Sequence, residues 1–384
     1  MKRPLKIMLV AAEASGDALG AGLAISLKSR LGDDLSLVGV GGPRMAEQGV
    51  KSPFNIAELS ILGWIDGLKA YGLVKKRVAE TVALAKAEKP DAVVLIDSWG
   101  FTIRVAKQIR AVLPDVKLIK YVGPQVWASR PKRAKVLADS VDHLLALYPI
   151  DAPWFEKEGL PTTVVGSQAL HVDMTKADPV RFRAKRGIAQ DAPLLLVMPG
   201  SRPSEIERMT PVYEDTVKRL KQAVPGLEVV LVAAGTVAEA VTSRVASWPF
   251  RAHLIDESEK YDAMKAATAA LATSGTVSTE IALSGTPMVI AYRIDNLSYA
   301  VMKRLMTAKF ITILNLAADE MVAPEFIQHD ATAEKLFAAV EPLLTQADRA
   351  ADQATRQTAV LDKMGRSGPH PSELAADAVL SVLN

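Results

Sequence analysis

Short apolar runs that stop on a polar turn, each followed by a longer amphipathic stretch, recur along the chain and limit its fold more than any other feature. The run Ala92 to Ile96 shows the pattern: it ends on Asp97, and after Ser98, Trp99 and Gly100 come Phe101, Val105 and Ile109 at helical spacing. A five-residue apolar run bounded by a turn is the signature of a strand buried on both faces. In the first half, strands are expected at 5–11, 36–41, 92–96, 117–122, 143–147 and 162–166, with helices at 17–31, 71–89, 101–112, 131–138 and 151–158. Such alternation predicts an α/β fold with a parallel, doubly wound sheet.

The pattern lapses at 166–193, which is polar and Pro-bearing, and resumes at 194 with strands expected near 228–233, 252–255, 269–273 and 287–291. At 384 residues the chain exceeds one ordinary core. Two Rossmann-like domains facing across a cleft are expected, 1–168 and 169–350, with 351–384 as closing helices. No fixed-period repeat or low-complexity tract is present.

Composition excludes several classes of function. There is no cysteine, so disulfides and thiolate metal sites are out, and a reduced cytoplasm is the simpler setting. The five histidines form no H-x₃-H pair, which argues against a His-based zinc site. A net charge of +3 does not call for nucleic acid but suits an anionic ligand or lipid surface. The N-terminus, basic and then apolar, imitates a signal peptide, but Glu13 and Asp17 follow its short apolar run, and a first strand is expected there. No apolar stretch is long enough to span a membrane.

Ligands of open α/β sheets bind at the carboxyl ends of strands, and three strand ends carry chemistry. In "LVAAEASGDALGAGL" the turn at Ser15 and Gly16 opens a helix whose amides can bind an anion or a sugar, with Asp17 alternatively an N-cap. Gly16, Gly20 and Gly22 do not have the G-x-G-x-x-G register, so NAD is disfavoured. In "VMPGSRPSEIERM", Gly200, Ser201 and Arg202 resemble a pyrophosphate clamp, since guanidinium binds phosphate oxygens in pairs. Ser204 and Glu207 there have the spacing of a capping box. In "LATSGTVSTEIAL", Ser274, Gly275 and Thr276 suit a diphosphate, and Glu280 one turn on suits ribose hydroxyls. No acidic metal cluster accompanies them, so Arg202 and helix dipoles are expected to neutralise a leaving diphosphate.

The stretch "ILGWIDGLKAYGLVKKR", 61–77, mixes Leu62, Trp64, Ile65, Leu68 and Leu73 with glycines and ends in Lys75, Lys76 and Arg77. It fits either a helix packed on the sheet or an element lying in a membrane interface.

The stretches "EASGD", "GVGGPRM", "ELSILG", "YVGPQVWASRPKR", "PGSRPSEIERM", "ATSGTVSTEIALSGTPMVIAYR" and "ILNLAADEMVAPEFIQ" resemble, in order, the lipid A disaccharide synthases. That resemblance implies a GT-B glycosyltransferase, without cofactor or metal, peripheral on the cytoplasmic face of the inner membrane. It implies transfer of 2,3-diacylglucosamine from UDP onto 2,3-diacylglucosamine 1-phosphate, giving a β-1′,6 disaccharide. It makes Asn315 a further nucleotide-site candidate beside Gly200, Ser201, Arg202, Ser274, Gly275, Thr276 and Glu280. Ser15, Gly16, Trp127 and Arg130 fall on the acceptor side, in the N-terminal domain, and 61–77 becomes a membrane and acyl-chain contact. A homodimer is also suggested.

The chain departs from the family at the stretch after Ile96. The usual pattern is Ile-Asp-x-Pro-Asp-Phe, whose second carboxylate is the favoured general base. Here "IDSWGF" keeps Asp97 but has Gly100 at that second position, Ser167 follows Gly166 where the family has His, and Ala12 stands for Gly. Three readings stay open. Asp97 is the base; Glu13 or Asp17 at the neighbouring strand end is the base; or the chain binds substrates without turning them over. A UDP-sugar epimerase of the same fold is the nearest enzyme rival.

Overall fold

The computed structural model describes residues 3–60, 67–233, 235, 237–273, 277–306 and 308–383, with the side chains of 60, 67–70, 297, 298, 301, 302 and 305 outside the description. Two compact units emerge: residues 1–168 with 368–384, and residues 169–367.

The N-terminal unit is built on six strands: β1 (Leu5–Ala11), β2 (Leu35–Val40), β3 (Ala92–Ile96), β4 (Lys117–Tyr121), β5 (His143–Ala146) and β6 (Thr162–Val164). They lie in the order β2-β1-β3-β4-β5-β6, and every pairing is parallel. Alternation sorts the side chains onto two covered faces. Met8, Val10, Val93, Leu95 and Leu118 join one core, while Ile7, Leu9, Ala11, Val94, Ile96 and Ile119 join the other. β1 runs to β2 on one side, and the chain then returns to β3 on the other. The topological switch point therefore falls between the carboxyl ends of β1 and β3.

The C-terminal unit repeats the plan with β7 (Leu194–Met198), β8 (Glu228–Val232), β9 (His253–Ile255), β10 (Ala269–Thr273), β11 (Met288–Tyr292) and β12 (Glu325–Ile327). Its order, β12-β11-β10-β7-β8-β9, puts the switch point between β7 and β10. The strand β12 is not expected from sequence, because three residues, Glu-Phe-Ile, give no periodicity to read.

The connector 166–193 contains no strand among its described residues, but it does fold. Asp178 accepts from the Arg181 amide at 2.9 Å, Pro179 begins a helix that ends at Arg186, and Gly187 closes it at φ 66°. The expected closing block 351–384 is divided between the units. The helix Ala347–Lys363 stays in the C-terminal unit, whereas Pro371–Leu383 packs Ala375, Ala376 and Val379 against the core around Ile7 and Leu9. Arg30 and Asp377 pair at 2.5 Å beside that contact.

Candidate active site

At the N-terminal switch point two turns exchange hydrogen bonds. Ser15 Oγ donates to Asp97 Oδ2 at 3.1 Å, and Ser98 Oγ donates to Glu13 Oε1 at 3.0 Å. Glu13 and Ser15 flank the start of the helix Ala14–Leu31, and they are exposed, while Asp97 and Ser98 are half-buried. Ser98 is the N-cap of the helix Trp99–Val112, yet its hydroxyl does not cap that helix and reaches Glu13 instead.

Asp97 and Ser98 both adopt left-handed backbone, at φ 49° and 39°. Such a consecutive pair costs on the order of 1–3 kcal/mol per residue and persists only where its surroundings impose it. Asp97 N still donates to Tyr121 O at 2.8 Å, so the turn begins at the ladder's last bond. Beneath it lies Lys120, with only 2% of its surface exposed. Its Nζ donates to Asp97 O, to Leu95 O at 3.2 Å and to Thr102 Oγ1 at 3.1 Å. Burial pushes this amine down to about 7, against the opposing pull of the Asp97 carboxylate. No sequence signal singled out Lys120, since one lysine in an apolar strand reads as an interruption.

Asp17, one of the three expected acids, has a different task. It is buried, and its carboxylate accepts from Gly42 N at 2.7 Å, Arg44 N at 3.0 Å and Met45 N at 3.1 Å. It caps the short helix Pro43–Glu47, not its own, and those amides occupy the oxygens that a base would need. The fit is close: a Cβ on Gly42 would lie 2.8 Å from Asp17 Oδ2. Gly16 also sits close over β1, its Cβ position 3.3 Å from Ala11 Cβ. Gly100 is open by contrast, the nearest described atom to its Cβ position being Arg104 Nη1 at 3.8 Å.

Other acceptor-side expectations are redistributed. The Trp127 indole is buried and donates to Asp151 Oδ1 at 2.7 Å, so it acts as a brace under the surface. Burial raises the Asp151 carboxyl above the ordinary carboxylate range, with the Trp127 bond opposing. Arg130 is exposed at φ 56°, and it presses on Arg133, whose guanidinium is held below its ordinary value by burial first and by Arg130 second. Arg133 in turn lies over the Trp99 ring at 5.3 Å. Arg77, expected to meet lipid, pairs with Glu58 at 2.5 Å and Glu80 at 2.6 Å and covers Phe54 at 4.8 Å. Two carboxylates within reach outcompete solvent for it, whereas Lys75 and Lys76 remain exposed and Leu73 half-buried. Leu62, Trp64 and Ile65, and the side chain of Leu68, lie outside the described residues.

In the C-terminal unit, Gly200 turns at φ 120° after β7, and Glu205 folds back so that Ser201 N donates to its Oε2 at 3.0 Å. The helix Pro203–Ala223 thus starts with Arg202 as N-cap and Glu205 at its third position, and the expected Ser204–Glu207 box does not form. The Arg202 side chain is 72% exposed and touches Glu205 through Nη1 at 3.0 Å. After β10, Ser274, Gly275 and Thr276 lie outside the described residues. Glu280, on the helix Val277–Leu283, receives Lys260 Nζ at 3.0 and 2.9 Å and the Tyr261 hydroxyl at 3.1 Å. For Lys260 burial lowers the ammonium's pKa, but the bonds to Glu280 overcome it and leave it raised.

Asn315 is completely buried and spends its amide internally. Nδ2 donates to Ala323 O and Glu325 Oε1, and Oδ1 accepts from Val322 N and Ala323 N. It fastens the helix Ile313–Ala318 to β12, and direct contact with a nucleotide is not available to it in this arrangement. Beside the ends of β11 and β12 is a cavity of about 450 Å³, walled mainly by Tyr292, Ile294, Tyr299, Met306, Ile311 and Ile327.

Solved structures share this architecture at low sequence identity. The S. aureus MnaA–UDP complex superposes with a TM-score of 0.65 at 15% identity, covering 99% of this chain and 97% of that one. The glycotransferase of kitacinnamycin gives 0.63 at 17%, with full coverage of both. Two parallel six-stranded sheets, each with a switch point, define a protein of the GT-B fold. The family model for lipid-A-disaccharide synthetase matches residues 7–379. The lipid-A-disaccharide synthase of Rhodospirillum centenum is 41% identical over 99% of this chain and 95% of its own length, and that of Paramagnetospirillum magneticum 40% over 98% and 97%. The chain belongs to the lipid-A-disaccharide synthase family.

Proposed function

We propose that the chain joins two acylated glucosamines, taking 2,3-diacylglucosamine from UDP and placing it on the 6-hydroxyl of 2,3-diacylglucosamine 1-phosphate with inversion. Family membership makes it a glycosyltransferase of lipid A disaccharide formation. The specific observation in favour of an active enzyme is the turn after β3. Gly100 removes the family's second carboxylate, yet Asp97 is held beside Ser15 at the switch point, where the reacting groups of such sheets gather.

In this reading Asp97 takes the proton of the acceptor hydroxyl, with Glu13 the nearby alternative. The hydroxyl oxygen attacks the anomeric carbon as its bond to the diphosphate breaks, and the electron pair leaves with UDP. Arg202 meets the charge that develops there, and Glu280, oriented by Lys260 and Tyr261, accepts from the ribose. No step calls for a metal. The cavity near Tyr292, lined by Ile294, Met306, Ile311 and Ile327 together with Lys303 and Gln328, supports an acylated donor over a plain UDP-sugar, and so favours transfer over epimerisation. With no described helix long and apolar enough to cross a membrane, docking on the inner face by 61–77 supplies the route for products too apolar to leave into water.

The test is product formation from the two acylated substrates with EDTA present, followed by mass detection of disaccharide and UDP. Disaccharide in equal amounts with UDP is expected. UDP binding without product would leave a binding protein on a transferase scaffold, and 2-epimer without disaccharide would establish the epimerase.

A further inference from the structure

We propose that Lys120 is a positioning residue for the transfer reaction: its buried Nζ, clamped by three oxygens, fixes the left-handed turn that carries the Asp97 carboxylate. The inference rests on the reading of Asp97 as the base.

The location is an expensive one for a lysine. Lys120 lies on β4, paired in register with Leu95 of β3, on the face covered by the helix Trp99–Val112. Burying an amine among apolar side chains is unfavourable unless oxygens surround it. Here they come from three consecutive pieces of one connection: Leu95 O from the strand, Asp97 O from the turn and Thr102 Oγ1 from the helix. Thr102 Oγ1 itself bonds Asp97 O at 2.8 Å and Ser98 O at 3.0 Å. Lys120 and Thr102 together therefore hold the carbonyls of the turn inward, beneath the helix. With the carbonyl of Asp97 drawn inward, its carboxylate is left on the side where Ser15 meets it.

An apolar side chain at 120 would pack that space with no buried amine, but Thr102 would then hold the carbonyls of two non-glycine residues at positive φ without its ammonium partner. Where the family pattern supplies a carboxylate at position 100, the direction of Asp97 matters less. With Gly100 there, it decides how the remaining acid faces the acceptor.

The experiment is a double-mutant cycle on the full chain, reading kcat for disaccharide, KM for the donor and UDP affinity in the parent, Lys120→Met, Lys120→Gln, Asp97→Asn and the Asp97→Asn/Lys120→Met pair. Lys120→Met is expected to lower kcat about tenfold or more, with donor KM and UDP affinity within about twofold of the parent. Lys120→Gln, which still donates two hydrogen bonds, recovers part of the loss. In the Asp97→Asn background the Lys120→Met effect falls to less than about twofold, because the group it positions is gone. An equal loss in both backgrounds, or none in either, overturns the proposal. If Lys120→Met does not fold, Thr102→Val takes its place in the cycle, and a loss confined to the Asp97 background or shared by both is read in the same way. Asp97→Asn turning over at the parent rate would remove the reading of the base itself, a result separable from the others.

Discussion

Ser15 and Asp97, on the turns that follow two adjacent parallel strands, are joined by a 3.1 Å hydrogen bond, and Ser98 returns the gesture to Glu13 at 3.0 Å. Each serine supports the other turn's acid. If Asp97 is the base, Asp97→Asn lowers kcat by about 10²–10⁴, the usual worth of general-base help. Glu13→Gln, which loses the charge but keeps an oxygen to accept from Ser98, costs less than about tenfold by the same measure. Steady-state rates decide, and a reversed ranking would assign the proton to Glu13.

Gly100 is an opening as well as a loss. A Cβ there finds no described atom closer than 3.8 Å, and the position lies in the first turn of the helix Trp99–Val112, where a carboxylate is favoured by the helix dipole. Gly100→Asp should fold normally and raise kcat, by up to about tenfold within the range that proton transfer contributes. Unchanged kcat in a folded Gly100→Asp protein would mean that Asp97 already does the work in full.

Asp17 calls for a different readout. Removing its carboxylate leaves the backbone amides of Gly42, Arg44 and the buried Met45 without their acceptor. Asp17→Ala should cost about 2–4 kcal/mol in urea unfolding, while kcat of the folded fraction stays within about threefold. A stable Asp17→Ala protein with abolished turnover would return Asp17 to the chemistry.

The pH dependence of stability follows from Lys120. Its amine is held at about 7 in the folded chain against 10.5 ordinarily, so between those values the unfolded chain binds more protons. Stability therefore rises with pH through that window, and the full penalty applies below it. Lys120→Met lacks the rise. Its advantage over the parent in urea midpoint should be largest near about pH 6.5 and shrink toward about pH 9.5. A difference that stays constant across this range would show that Lys120 keeps an ordinary proton affinity.

In the C-terminal unit, Lys260 and Tyr261 both donate to Glu280. Glu280→Gln should weaken UDP binding about tenfold in calorimetry, and Lys260→Met by less, since Tyr261 still orients the carboxylate. Lys260→Met weaker than Glu280→Gln would place the ammonium on the diphosphate itself.

The strands were legible because most are apolar runs closed by a turn: 92–96, 194–198 and 269–273 are uniform enough to leave one reading. Their order followed less directly, and the switch points appear only when β3 is seen to pass beyond β1. Residues with distant partners were hidden. Asp17 looks like a local cap until Gly42 to Met45 fold onto it. Asn315 looks like a ligand until Ala323 and Glu325 arrive to occupy its amide. Lys120 carries no motif at all, because its three partners are two carbonyls and a hydroxyl that any sequence could supply.

The chain leaves its N-terminal unit after Gln168 and comes back at Gly368 for the helix Pro371–Leu383. During synthesis, then, the sheet that carries Asp97 still lacks part of its cover when its last strand emerges. One face, with Ile7, Leu9 and Ile119, has Leu23 and Leu27 of the first helix over it but lacks Ala375, Ala376 and Val379 while the whole second unit is made. The second unit, contiguous from 169 to 367, has every residue it needs earlier. The nascent protein thus finishes the half expected to hold the donor before the half that carries the candidate base, and the final turns of the chain close it.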